Sequence, residues 1–177
     1  MSRKLDDSDV KILNIMQRNN RLPLDEIAKE VHLSASAVQR RVTRLRKEGI
    51  IQSEVAILSP EEVGRKLMAI VEVTLHEEHH TTLEHFNQLM VSTPEVMQCY
   101  YVTGEADFVV VITAENMKEF DSLTRTLFSD NPQIKRFRTG VVVRTVKAGL
   151  MVPLKMHGSP SGAKPRGSQC EEWVTEV

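Results

Sequence analysis

Apolar residues recur every three or four positions through the first fifty residues and at every second position in several later stretches, so the chain passes from helical to strand texture along its length. Val10, Leu13 and Met16, with Ile12 beside them, predict a first helix that Asp6, Asp7 or Ser8 can cap and that Asn19-Asn20 ends. Pro23 suits the start of a second, short helix, which carries Leu24, Ile27, Ala28 and Val31 on one face. A third helix, capped by Ser34 or Ser36, aligns Val38, Val42 and Leu45 in one stripe and stops at Gly49, a residue at ease in the left-handed position after a helix. Only Val31-His32-Leu33 joins the second helix to the third. Two packed helices with a tight turn, the second one basic, form the helix-turn-helix pattern.

After Gly49 the run from Ile50 to Leu58 is rich in β-prone residues and predicts a strand leading out of the helical unit, which would make that unit a winged one. Ser59-Pro60-Glu61-Glu62 reads as a capped turn ended by Gly64, where the domain boundary is expected. From Leu67 the order is strand, helix, strand, strand, helix, strand: Leu67 to Leu75, Thr81 to Val91, Val96 to Val102, Phe108 to Thr113, Met117 to Phe128 and Ile134 to Val146. This βαββαβ order is the ferredoxin-like arrangement. The expected fold is therefore α+β, with a helix-turn-helix domain over residues 1–64 and a ferredoxin-like domain over residues 65–154. Residues 155–177 are dense in Gly, Ser, Pro and charge and are expected to be a disordered tail, with Trp173 and Val174 as its only apolar docking point.

Composition changes this picture in one respect. The formal net charge of −1 over 177 residues argues against a nucleic-acid partner only if charge is evenly spread. It is not: residues 1–49 hold 11 basic and 7 acidic side chains, a balance of +4, and the remainder of the chain stands at −5. The longest apolar run, Phe108 to Ile112, is far short of the ~18 residues a membrane span needs. Acids near the N-terminus replace the apolar core of a signal peptide, so a cytoplasmic protein is expected. Cys99 and Cys170 stand far apart and form no disulfide framework or C-x-x-C motif.

Candidate chemistry concentrates in the third helix, where Arg40, Arg41, Arg44, Arg46 and Lys47 place five positive charges within eight positions. Ser34, Ser36 and Gln39 are placed for base edges or nearby phosphates, and Arg40, Thr43, Arg44 and Lys47 for the groove walls. Arg41 follows Arg40 by about 100° of helix rotation and can turn back toward the first helix or toward the phosphates. Four histidines, His76, His79, His80 and His85, fall within ten residues. Metal ligands usually come from separate elements, so a polar loop is the expected reading and no metal is assigned. In the segment Val102 to Phe108, Gly104 permits a tight backbone whose N–H groups can cradle a carboxylate, and Asp107 can accept from an ammonium. The same residues also make an ordinary hairpin turn. No catalytic or cofactor motif is present, which favours a binding protein over an enzyme.

Leu5-Asp6, Asp9, Ile12-Leu13, Ile27-Ala28, Leu33-Ser34, Arg40-Arg41-Val42, Arg44-Leu45 and Glu48-Gly49-Ile50-Ile51, followed by Glu95-Val96, Val102-Thr103-Gly104 and Asp107, together resemble the Lrp/AsnC family of feast/famine transcriptional regulators. The resemblance runs from about Leu5 to Leu154. It implies double-stranded DNA as partner for the first domain. It also implies that the second, a RAM domain, dimerises, assembles to tetramers or octamers, and binds a small amino-acid effector in place of any cofactor. Thr103, Gly104 and Asp107 are the effector-site residues it implies. The chain departs from the family's pattern at His32, where Gly is frequent, and at Ala35, where Pro is frequent. An architectural DNA-binding protein without effector is the main alternative. A second is a siroheme-type decarboxylase of the same architecture, which would draw on Tyr100, Tyr101 and the histidines.

Overall fold

Asp6 starts the first helix by a reciprocal arrangement: its carboxylate accepts from the Asp9 backbone N–H, and the Asp9 carboxylate accepts from the Asp6 N–H. Helix α1 then runs Asp7–Met16. Helix α2, Leu24–Val31, begins directly after Pro23, and α3, Ala35–Lys47, after Ser34, whose hydroxyl accepts from the Ala37 N–H. Ile12, Ile27, Ala28, Val31, Val38 and Val42 pack into the core these three helices share. The computed structural model describes residues 5–156. The expected disorder of the tail from residue 157 on, Trp173 included, lies outside them.

The turn between α2 and α3 hinges on His32, which adopts φ 56°, ψ 46° and lets the Leu33 N–H reach back to the Ala28 carbonyl. A glycine would occupy this left-handed conformation without the crowding that a Cβ brings. Gly49, at φ 71°, ends α3 in the same conformation, as its position in the sequence predicts.

The strand predicted from Ile50 to Leu58 does not form. Ile51 packs against the three-helix core, but Val55, Ile57 and Leu58 lie exposed, Ile57 at 83%. β-Propensity extends a backbone; a ladder also needs a neighbouring strand, and this stretch has none among the described residues. Among the described residues the helical unit accordingly has no strand-built wing.

The chain divides into two compact units, one holding residues up to Val55 and again from Gly149, the other spanning Ala56–Ala148. The division falls ahead of Gly64, and residues 149–156 return to the helical unit. The Gln17 side-chain amide marks that return: it donates to the Val152 carbonyl at 3.1 Å and accepts from the Val152 N–H at 2.7 Å.

The second unit is the βαββαβ fold expected: β1 Leu67–Leu75, α4 His80–Ser92, β2 Val96–Tyr101, β3 Phe108–Ala114, α5 Met117–Thr124 and β4 Ile134–Val141. All pairings are antiparallel, in the order β2-β3-β1-β4. Strand β4 stops at Val141, short of the predicted Val146; Val141 is paired with Ala69, and one further bond, from the Val142 N–H to the Met68 carbonyl at 2.8 Å, closes the ladder. The predicted helix over 117–128 closes with a π-helical turn, Arg125–Ser129, whose extra residue per turn brings neighbouring Leu127 and Phe128 both into the core.

Alternation in β1 sends Ala69, Val71 and Val73 inward to meet Phe86, Phe108, Phe120 and Phe128. Phe86 and Phe108 contact at 4.5 Å between centroids, and full burial contributes about 1.5–3 kcal/mol for each such ring. The opposite sheet face carries rows set by register: Gln98, Val111, Ile70 and Gly140 in one, Tyr100, Val109, Glu72 and Arg138 in the next. Ile70 and Tyr100 lie exposed there. No helix among the described residues is long and apolar enough to cross a membrane.

His32→Gly is expected to raise the unfolding free energy by about 1 kcal/mol, and His32→Val to lower it, because only the first relieves the left-handed turn. Paired denaturant titrations of the two variants check the order.

Candidate functional site

Helix α3 buries Val38, Val42 and Leu45, which turns Ser36, Gln39, Arg40, Thr43 and Lys47 outward, and all five are exposed. Ser34, at the cap, is exposed too, with its hydroxyl 3.1 Å from that of Ser36. The Gln39 amide donates to the Thr43 hydroxyl at 3.3 Å, holding two polar side chains side by side along the outer face.

The remaining basic residues of α3 are already engaged. Arg41 Nη1 donates to Asp6 Oδ2 at 2.6 Å and to Asp9 Oδ1 at 2.8 Å, and Arg44 Nη2 to Asp9 Oδ2 at 2.5 Å. Asp9 is 1% exposed. Of the two directions open to Arg41 in the sequence, the structure takes the one toward α1, and it takes Arg44 the same way although its spacing from Arg40 had placed it along the groove. Arg46, at the end of α3, chelates Glu54 at 2.8–3.1 Å. Arg40 and Lys47 are the basic side chains of α3 without an ion pair among the described residues.

Burial works to raise the Asp6 pKa, but the Asp9 N–H and the Arg41 guanidinium outweigh it and hold the carboxyl below its usual value. Asp6, and then Asp9, push the Arg41 pKa upward in turn.

In the second unit the hairpin between β2 and β3 places Thr103 and Gly104 in an exposed turn, with Gly104 at φ 143°. Asp107 forms the base of that turn. Its carbonyl accepts from the Val102 N–H at 2.8 Å, its N–H donates to Val73 at 2.9 Å, and its Oδ2 accepts from the Leu75 N–H at 2.7 Å. One carboxylate oxygen is thus spent on holding the end of β1.

Beside the turn lies a cleft of about 260 Å³ lined by Glu72, Thr74, Glu105, Ala106, Arg136, Phe137 and Arg138. Arg136 reaches the Thr74 hydroxyl and the Glu105 carbonyl, each at 3.3 Å, and Arg138 lies 3.7 Å from Glu72. The sequence reading did not single out Glu72, Thr74, Arg136 or Arg138. Strand alternation would have put each pair on one face; only the register of β1 against β4 sets Thr74 opposite Arg136 and Glu72 opposite Arg138.

The histidines do not converge. His79 lies 3.2 Å from Glu77 and His80 3.5 Å from Glu84, while His85 Nδ1 is 2.9 Å from Gln133. No group of three metal-ligating side chains comes together among the described residues. The Tyr101 hydroxyl donates to Glu78 at 2.6 Å, and Tyr100 lies on the open sheet face.

Comparison with known proteins gives matches over both units. The family model described as the winged helix-turn-helix DNA-binding domain matches residues 5–52, and that of the Lrp/AsnC ligand binding domain matches residues 68–152. An uncharacterised HTH-type transcriptional regulator of Sinorhizobium fredii is 45% identical over 153 residues, 86% of this chain and 90% of its own. The leucine-responsive regulatory protein of Haemophilus influenzae is 34% identical over 154 residues, 87% of this chain and 93% of its own. A transcriptional regulator of Neisseria meningitidis, crystallised as an L-methionine complex, superposes with a TM-score of 0.79 at 30% identity, over 85% of this chain and 97% of that one.

The lowered Asp6 pKa sets a pH dependence for the helical unit. A carboxyl whose folded pKa is depressed contributes stability that is present above its unfolded value of about 3.9 and is lost as pH falls through the folded value. Thermal unfolding is therefore expected to lose stability below about pH 4, and Asp6→Asn to lose less over that interval.

Proposed function

The chain belongs to the Lrp/AsnC family of helix-turn-helix transcriptional regulators, and on that footing we propose that it reads specific DNA sites under the control of a small amino-acid effector. Its DNA-binding regulatory role comes with the family, whose members here are regulators rather than enzymes. The observation that carries the reading of the interface is the exposed stripe of α3. Ser36, Gln39, Arg40, Thr43 and Lys47 combine two positive charges with hydrogen-bonding groups suited to base edges, on a helix whose other face is fully packed. Ser34 adds a hydroxyl at the helix start, where a phosphate is favourably bound. Arg41 and Arg44 belong to this site as the side chains that fix α3 against α1.

For the effector, Thr103 and Gly104 offer free backbone N–H groups to an α-carboxylate, and Asp107 offers an ammonium the oxygen that Leu75 does not use. The cleft at Glu72 and Arg136 extends that site with charges of both signs, as an amino acid requires. The L-methionine complex of the Neisseria protein supports an amino-acid ligand for this fold. The open sheet face, with Ile70, Val111 and Tyr100 exposed or half-buried beside Glu72 and Arg138, supports pairing with a second copy and assembly into tetramers or octamers. Control of DNA binding then follows if the effector favours one assembly over another.

Arg40→Ala is expected to weaken binding to the protein's own promoter fragment by about tenfold or more, measured by fluorescence anisotropy at fixed salt. A thermal-shift panel of the twenty amino acids tests the effector: a ligand at 100 times its Kd adds about 2.7 kcal/mol. Arg136→Ala should abolish that shift and leave Arg40-dependent DNA binding in place. No shift with any amino acid would leave the architectural reading, DNA binding without an effector, in its stead.

A further inference from the structure

Five basic residues give α3 the charge of a strong phosphate binder, yet three of them are neutralised inside the chain: Arg46 by Glu54, and Arg41 and Arg44 by acids of α1. The α1 pairs differ from the Arg46 pair in burial. Asp9 is almost wholly inaccessible, and both of its oxygens are engaged: Oδ1 accepts from Arg41, Oδ2 from Arg44 and the Asp6 N–H. Arg44 is drawn in so far that its Nε is buried without a hydrogen-bond partner. A guanidinium that only decorated a surface would keep that nitrogen in water.

A carboxylate holding two guanidinium groups offers them what a DNA phosphodiester offers, one negative charge spread over two acceptor oxygens. We propose that Asp9 is an internal stand-in for phosphate, which occupies Arg41 and Arg44 so that sequence-independent attraction to DNA is held down and discrimination rests on the exposed α3 stripe. Asp9 is in this sense a positioning and specificity-determining residue; it touches no base. Each basic side chain that meets a phosphate releases counterions and steepens the dependence of log K on log salt by about 0.9. With Arg41 and Arg44 withheld by Asp9, and Arg46 by Glu54, α3 contributes two such contacts, Arg40 and Lys47, where its sequence offers five. Sequence-independent binding, which is almost wholly electrostatic, falls most.

The inference rests on α3 being the DNA-binding helix, and its test separates the two ideas. Binding of the full-length protein to its promoter fragment and to random duplex is measured from 50 to 200 mM salt, with folding checked by thermal unfolding. Asp9→Asn is expected to bind random duplex several-fold more tightly at low salt, with a slope steeper by about one to two and a smaller ratio of specific to random affinity. Arg41→Gln and Arg44→Gln are each expected to leave the slope unchanged. A purely structural salt bridge would weaken binding to both DNAs in Asp9→Asn with no steepening, and that result overturns the proposal. So does a slope shallower by about 0.9 in either arginine variant, since it would make that arginine a phosphate contact. Should Asp9→Asn fail to fold, the two arginine variants decide in its place: unchanged slopes are expected because Asp9 already holds both side chains, and a shallower slope in either overturns the proposal. Wild-type protein that prefers its promoter to random duplex in none of these conditions refutes the DNA-reading itself, independently of Asp9.

Discussion

The carboxylate of Asp9, closed off from water between two arginines, ties α3 to α1, and the surface that α3 offers depends on that tie. Asp9 can keep its charge out of water only while the arginines pair with it, so the contact has to persist in the folded unit. The pair therefore fixes α3 about its own axis as well as against its neighbour. Val38, Val42 and Leu45 set which face is inside; Asp9 pulls the flank that carries Arg41 and Arg44 toward α1, leaving Arg40 and Lys47 on the outside. The same acid closes the cap of α1, so helix start and helix orientation share one side chain.

The second unit has its own fixed point in β1, which is paired on both sides and alternates cleanly between core and open face. Asp107 secures the end of that strand by accepting the Leu75 N–H, and in doing so anchors the hairpin turn of Thr103 and Gly104 to the sheet. A turn held this firmly keeps its backbone N–H groups in a fixed direction. The acid that the sequence offers as a ligand is in the first place a brace.

Much of this is legible in the residues. The helix caps, the apolar stripes, Gly49 as a terminator and the βαββαβ order all follow from local periodicity and turn chemistry, which short-range sterics enforce regardless of what packs nearby. Ile50 to Leu58 misleads for the opposite reason, since a strand is a property of two segments and the sequence of one cannot supply the other. The π-helical turn at Arg125–Ser129 was likewise hidden, because it arises where both Leu127 and Phe128 must reach one core.

By itself the sequence determined the three helices and the βαββαβ order, and a basic first segment joined to an acidic remainder, with Arg40, Lys47 and their polar neighbours on one helical face. The tertiary structure decided which charges are available. Asp9 and Arg41 stand 32 positions apart, Asp107 and Leu75 also 32, so no local pattern pairs them. A charge counted along the chain acts outward only as far as folding leaves it uncompensated, and an opposite charge held at hydrogen-bond distance cancels most of its field beyond the pair.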